Sequence, residues 1–143
     1  AMYDEARLLA AHDGAEPVAK EACLAIGDRL DTDIEAGNRG GYDSLAVLTG
    51  VTNPHELMFA PEHLRPTYIA KDLTGLNEPA PEVVHEAGAW SCRDVQARVD
   101  GDRLYVTDIT SVDGLRAACA AMWDAADRGH SVDGMIVPEF RIA

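Results

Sequence analysis

At 143 residues and 47% hydrophobic, the chain is long enough for one ordinary domain, which would bury roughly two thirds of its unfolded surface, or for two smaller units. Its 12 basic and 25 acidic residues sum to a formal net charge of −13 with no Lys/Arg block, so neither nucleic acid nor an anionic membrane surface is an expected partner. No apolar run approaches the roughly 20 residues of a membrane span and no basic-then-apolar leader is present, which makes a cytoplasmic location the expectation.

The three cysteines, Cys23, Cys92 and Cys119, are odd in number and widely spaced, so they read as reduced, mostly buried thiols. The five histidines show neither His-x3-His nor His-Glu-x-x-His spacing, which disfavours zinc.

In chain order, residues 2 to 11 carry a helical pattern, with Met2, Ala6, Leu9 and Ala10 on one face. Residues 13 to 17 (Asp-Gly-Ala-Glu-Pro) break it. Ala22 to Ile26 then reads as a short strand without alternation, which suits a central place in a parallel sheet. Gly27 ends that strand, and three carboxylates follow within six residues: Asp28, Asp31 and Asp33. A helix is expected from Asp31 or Thr32 to Arg39, with Thr32 as N-cap and Gly40-Gly41 as the left-handed exit.

Ser44 to Leu48 is the next strand, with a turn over residues 49 to 52. Asn53-Pro54-His55-Glu56 has the order of a helix start: capping Asn, Pro in the first position, Glu in the third. Thr67 to Ala70 is a third short strand, and Asp72 can cap a brief helix over Leu73 to Leu76. This alternation of helices and short strands predicts α/β architecture, half of a doubly wound parallel sheet.

Asn77-Glu78-Pro79-Ala80-Pro81 marks a boundary, giving domains of 1–78 and 79–143. The second part reads as an appended α+β segment: a β-hairpin of Val95 to Val99 and Leu104 to Ile109, then a helix from a Ser111 cap to about Arg128, closed by Gly129. Met135 to Val137 is a candidate last strand. Gly-Asp-Arg-Leu occurs twice, at 27–30 and 101–104. The second copy joins two alternating strands, which makes Asp102 turn chemistry, so context rather than the tetrapeptide carries meaning. No Arg/Gln-x-x-Gly-x-Gly/Ala phosphate loop occurs in the tail, so nothing in it supports an acetyltransferase.

Two readings of the acidic cluster stand side by side. Acids at a helix start are stabilised by its unpaired N–H groups and dipole, by about 0.3–1 kcal/mol each. Alternatively they hold Mg2+, which takes a few carboxylate oxygens at a cleft mouth and bridges to phosphate.

The longer string narrows this. Ala25-Ile26-Gly27-Asp28-Arg29-Leu30-Asp31-Thr32-Asp33-Ile34-Glu35-Ala36-Gly37, continuing through Leu45 to Thr52 and Arg65 to Leu73, resembles the carboxyl-terminal motif region of the haloacid dehalogenase (HAD) superfamily. It is similar to the branch of p-nitrophenylphosphatase and phosphoglycolate phosphatase-like enzymes with a large α/β cap, over about residues 1 to 76. The resemblance implies a Rossmann-like HAD core, Mg2+ as cofactor, Asp28 as direct metal ligand and Asp33 as the motif's second acid. Asp31 is left between helix capping and a place behind the metal ligands. The implied reaction is hydrolysis of a small phosphorylated metabolite through an aspartyl-phosphate.

The family's Asp-x-Asp-x-Thr/Val nucleophile motif, its Ser/Thr and its lysine do not occur in the sequence. Lys20 lies before a strand, about 20 Å from the carboxyl rim, and the resemblance places the family lysine upstream of Ala1 rather than at Lys71. The chain is therefore expected to be the carboxyl-terminal fragment of a phosphatase. It would be inactive alone, without a catalytic residue of its own, and would depend on the missing N-terminal part or another chain. The alternative is a non-catalytic binding or oligomerisation module, with a homo-oligomer as one arrangement. No substrate-binding residue is assigned.

Overall fold

The computed structural model describes residues 23–48, 53–77 and 79–142. The helix expected over residues 2 to 11, the break after it, Lys20 and the turn at 49 to 52 lie outside the described residues. The chain divides into two compact units. One contains residues 23–48 and 62–72, the other residues 53–61 and 73–142.

The first unit is built on a parallel sheet of β1 (Leu24–Gly27), β2 (Asp43–Val47) and β3 (Tyr68–Ala70), in the order β1-β2-β3. Its core includes Leu45, Val47 and Ala70, and Ala46 is fully buried, as the apolar run of β2 dictates. Among the described residues β2, not β1, holds the central place. On β1 only Ala25 is buried, while Leu24 and Ile26 are 37% and 38% exposed. An unbroken apolar run records that both faces can be buried, but not which strand lies outermost.

Between β1 and β2 the chain makes a π-type turn over Leu30–Ile34 and then the short helix α1 (Glu35–Arg39). Arg29 is the residue before the turn and gives no side-chain cap; Thr32 sits inside the turn, so the expected Thr32 cap is not formed. Burial explains the early start. Leu30 and Ile34, four residues apart and therefore on one face, are both fully buried, which pulls the helical path back to Leu30. The exit is a Schellman motif, with Tyr42 N–H on the Gly37 carbonyl (3.0 Å) and Gly41 N–H on that of Asn38 (3.2 Å). Gly41 supplies the required positive φ of +78°.

A partly buried polar network ties α1 to the entry of β3. The Asn38 side-chain amide donates to the carbonyls of His63 (3.0 Å) and Arg65 (2.9 Å), and its oxygen accepts from the Ser44 hydroxyl (3.3 Å). Ser44 and Thr67 exchange bonds: the Ser44 N–H donates to Thr67 Oγ1 (2.9 Å) and the Thr67 N–H to Ser44 Oγ (3.2 Å). Ser44 is fully buried, so these bonds stand in for water.

The second unit holds α2 (Pro54–Met58), a four-stranded antiparallel sheet and the long helix α3 (Val112–Asp127). In α2 the predicted cap forms: Asn53 accepts the Glu56 N–H at 2.8 Å with Pro54 at the first position. The Trp123 indole N–H donates to the Leu57 carbonyl at 2.9 Å, tying α2 to α3.

The sheet contains β4 (Val83–Glu86), β5 (Ala89–Cys92), β6 (Val95–Asp100) and β7 (Arg103–Val106) in sequential order. The expected hairpin is β6–β7, with Gly101 at φ +63° and Asp102 in its two-residue turn. Strands β4 and β5 were not expected. Their connections use Ala87-Gly88 and Arg93-Asp94, with Ala87 and Arg93 at positive φ, where Asn or Gly would announce a hairpin.

Register places Trp90, Cys92, Val95, Ala97, Leu104 and Val106 on one face, against which α3 packs, while Gln96, Arg98 and Tyr105 face the other way. On α3, Leu115, Cys119 and Met122 are buried as the helical spacing predicts. Ser111 caps its start by accepting the Gly114 N–H (3.1 Å). Its end is a Schellman motif at Gly129, φ +83°, with His130 N–H on the Ala125 carbonyl (3.0 Å). The expected strand at 135 to 137 reduces to one bridge: Ile136 beside Arg103.

Candidate metal-binding corner

In a parallel sheet every strand ends at the same rim, and ligands of open α/β folds bind there. The pairings Gly27 with Ala46 and Val47 with Ala70 put the ends of β1, β2 and β3 side by side. Asp28 follows β1 directly, and Lys71, exposed, follows β3. Two strand spacings separate β1 from β3, about 10 Å.

Gly27 is where the corner closes. A Cβ at this position would run into Asp33, whose side chain lies against the glycine backbone. The absence of a side chain at 27 thus lets the π-type turn fold back and set Asp33 beside the residue that precedes Asp28. The Arg29 carbonyl accepts both the Asp33 N–H (3.1 Å) and the Ile34 N–H (3.2 Å), which holds this geometry. Asp28 and Asp33 are half-buried.

Asp31 faces a different partner. Its carboxylate accepts from Arg29 Nε (3.2 Å) and Nη2 (3.1 Å), a two-pronged exposed pair. That hydrogen bond holds the Asp31 carboxyl below its usual range. Arg29 is held above its own usual value, first by the bond to Asp31 and then by that charge, with further contributions from Asp28 and Asp33. All three acids therefore act on one guanidinium. Arg29 was not singled out in the sequence; its place between Asp28 and Asp31 was the available signal.

The donor set at the corner is two carboxylates, Asp28 and Asp33, beside a glycine. Among the described residues, no three Asp, Glu, His or Cys side chains gather into a cluster able to hold a metal ion. Such a pair fits Mg2+, which is usually held by one or two carboxylates with waters and substrate phosphate completing six positions, and does not fit a closed all-protein cage. No described helix is long and apolar enough to cross a membrane.

A family model described as HAD-hydrolase-like matches residues 1–76, more than half of the chain. The chain belongs to the HAD-hydrolase-like family. D-glycerol 3-phosphate phosphatase of Mycobacterium tuberculosis is 40% identical over 113 residues, 73% of this chain and 31% of that protein. Phosphoglycolate phosphatase 2 of Arabidopsis thaliana is 39% identical over 51 residues, 36% of this chain and 17% of its own length. The crystal structure of a Mycobacterium tuberculosis glycerol phosphate phosphatase in complex with magnesium superposes with a TM-score of 0.57 at 37% identity, over 71% of this chain and 30% of that one. A second structure of that enzyme, in complex with calcium, gives the same TM-score at 36% identity, over 75% of this chain and 32% of that one. This HAD-family chain thus spans about a third or less of the length of the relatives it matches.

A second family model, a GCN5-related N-acetyltransferase-like domain, matches residues 92–135. This corrects the expectation that the tail gives no support to an acetyltransferase relationship. The likeness covers β6, β7 and α3, whereas the phosphate-loop spacing remains absent before α3. Asp113 occupies the first turn of α3, bound to Arg116 (2.7 Å) and Arg93 (3.4 Å).

Proposed function

We propose that this chain is the carboxyl-terminal part of a Mg2+-dependent phosphatase of small phosphomonoesters, supplying the metal-binding acids while the nucleophile lies on sequence outside these 143 residues. The observation that carries the reading is the corner itself: Asp33 packed on Gly27 next to Asp28, at the carboxyl rim of a parallel sheet. The identity to a glycerol 3-phosphate phosphatase and the magnesium in a related structure support it, and make glycerol 3-phosphate the first substrate to assay.

In this reading Asp28 and Asp33 would hold the ion. When bound, Mg2+ neutralises charge on the phosphoryl oxygens. Asp28 contributes a carboxylate at the strand end. Asp33 is kept in place by Gly27 and by its backbone bond to Arg29. Asp31 stands behind both, holding Arg29 and so spreading the acids' charge. Hydrolysis through an aspartyl-phosphate requires an aspartate nucleophile, which this reading assigns to the remaining two thirds of a relative-length protein. The partly exposed Leu24 and Ile26, two residues apart on one face of β1, fit a sheet face that further protein covers.

The test compares this chain, the longer protein that contains it, and the Asp28→Asn form of that longer protein. Phosphate release from glycerol 3-phosphate is followed with and without Mg2+. The chain alone should release none. The longer protein should turn over only with Mg2+, and the substitution should remove about 100-fold or more of the rate, as expected when a charge-stabilising group is lost. Unchanged turnover in Asp28→Asn would refute the metal assignment, and turnover by the chain alone would refute the placement of the nucleophile.

A further inference from the structure

The second unit carries an open surface pocket that the phosphatase reading does not use. It lies on the α3 side of the antiparallel sheet, toward the carboxyl end of α3, and has a volume of about 550 Å3. That size is within the usual range for small-molecule sites, about 300–1,000 Å3. The space follows from the sequence of α3. Ala121, Asp124, Ala125 and Arg128 recur at helical spacing and line the pocket, so this face of the helix end presents alanines, while Leu115 and Met122 on the neighbouring face fill the core.

The walls have a definite chemistry. Register puts His85 opposite Trp90 on the α3 side of the sheet. Their rings stack with centroids 4.4 Å apart and planes 8° from parallel, which leaves the exposed His85 ring as the outer face of an aromatic platform. At the helix end, Arg128 holds Asp124 through Nε alone (3.0 and 3.2 Å), so its two terminal amino groups keep their donors. His130 approaches the Gly101 carbonyl through Nε2 (3.0 Å). Because a carbonyl only accepts, Nε2 carries the proton, and in the neutral ring Nδ1 then accepts rather than donates. Asp124 and Arg128 are the acidic and basic residues that line this pocket.

We infer that this pocket binds a planar aromatic small molecule carrying an anionic group, with the ring on the His85–Trp90 platform and the anion at the terminal amino groups of Arg128. The aromatic platform accepts a flat ring by stacking. The guanidinium matches a planar carboxylate or a phosphate with paired donors. The site is independent of the acidic corner.

The test is an NMR titration of the whole 143-residue chain, followed at the indole N–H signals of its two tryptophans. Trp90 lines the cavity, whereas the Trp123 indole is bonded to the Leu57 carbonyl and reports on the fold. The probes are adenosine 5′-monophosphate and indole-3-acetate, which carry a ring with phosphate or carboxylate, and adenosine and ribose 5-phosphate, which carry the ring and the phosphate separately.

At least one ring-bearing anion should shift Trp90 saturably, and about tenfold more tightly than either separate half, with Trp123 unmoved. The response to one anion and not the other identifies which group the site takes. Arg128→Gln, at an exposed position, should weaken that probe by about tenfold and leave adenosine unchanged. Ala125→Leu, which narrows the pocket at its helix wall, should weaken the shift while Trp123 keeps its position. The inference is overturned if neither anion moves Trp90 at about 10 mM, if ribose 5-phosphate binds as tightly as the nucleotide, or if folded Arg128→Gln binds like the parent.

Discussion

Replacing Asn38 by Ala removes the centre of the network that joins α1 to the entry of β3. Two N–H···O bonds at 3.0 and 2.9 Å disappear, and the buried Ser44 hydroxyl loses its acceptor at 3.3 Å. A typical intramolecular bond contributes about 0.5–1.5 kcal/mol net, and an orphaned buried polar group costs about 1–3 kcal/mol. The third bond is long and Ser44 still accepts from Thr67, so the low end applies to it. The expected loss is about 2–4 kcal/mol, a large share of the roughly 5–15 kcal/mol that holds an ordinary domain. Both tryptophans, Trp90 and Trp123, belong to the second unit, so their fluorescence does not report on this change. Native-state amide exchange does: protection at Leu45, Ala46 and Ile69 should fall by about 30- to 1,000-fold, while the β6 amides keep theirs. A loss below about 0.5 kcal/mol would show that water replaces the amide at no cost and would refute the reasoning. Since α1 continues directly from the acidic turn, the same variant should also loosen Asp33.

Gly27→Ala pushes a methyl group into Asp33, so the turn must shift or distort, at a cost of about 1–3 kcal/mol. Urea unfolding gives that cost, and Mg2+ titration of the longer protein that contains this chain should show weaker binding than in the parent. A variant equal to the parent in both would mean that the corner does not need the glycine. The Cys92 thiol donates to Asp113 (3.4 Å) and is pushed up to about 11, first by burial and then by that hydrogen bond. Burial also raises the Cys119 thiol. A folded-state value above the unfolded one favours the native state while the thiol is protonated. That contribution is therefore complete below the ordinary thiol value of 9.0 and is lost as pH climbs toward about 11. The urea midpoint should fall across this window, and fall less in Cys92→Ala; equal slopes would refute the assignment. Native protein should react with a thiol reagent at the half-buried Cys23 well before the two buried cysteines.

Much of the chain's local structure was legible because it rests on short-range chemistry. Asn53-Pro54 capped α2, Gly41 and Gly129 ended their helices, and the 3.6-residue spacing of Leu115, Cys119 and Met122 marked the buried face of α3. The second Gly-Asp-Arg-Leu became a hairpin turn, as its alternating flanks required. Strands β4 and β5 were not read from the sequence: Gly88, at φ +79°, was an available turn signal, whereas Ala87 and Arg93 at positive φ carry no residue signature. The Thr32 cap failed because burial of Leu30 and Ile34 outweighs a single hydroxyl bond.

By itself the sequence determined the family, since the acidic string with its flanking strands is specific, and it determined the order of the parallel elements, since hydrophobic period and caps act locally. Tertiary structure alone decided which acids share a corner. Spacing treats Asp28, Asp31 and Asp33 alike; packing of Asp33 on Gly27 and pairing of Asp31 with Arg29 separate them. The reason is physical: whether a carboxylate meets a glycine backbone or a guanidinium depends on how the turn folds back, and that is set by the burial of Leu30 and Ile34 rather than by the acids themselves.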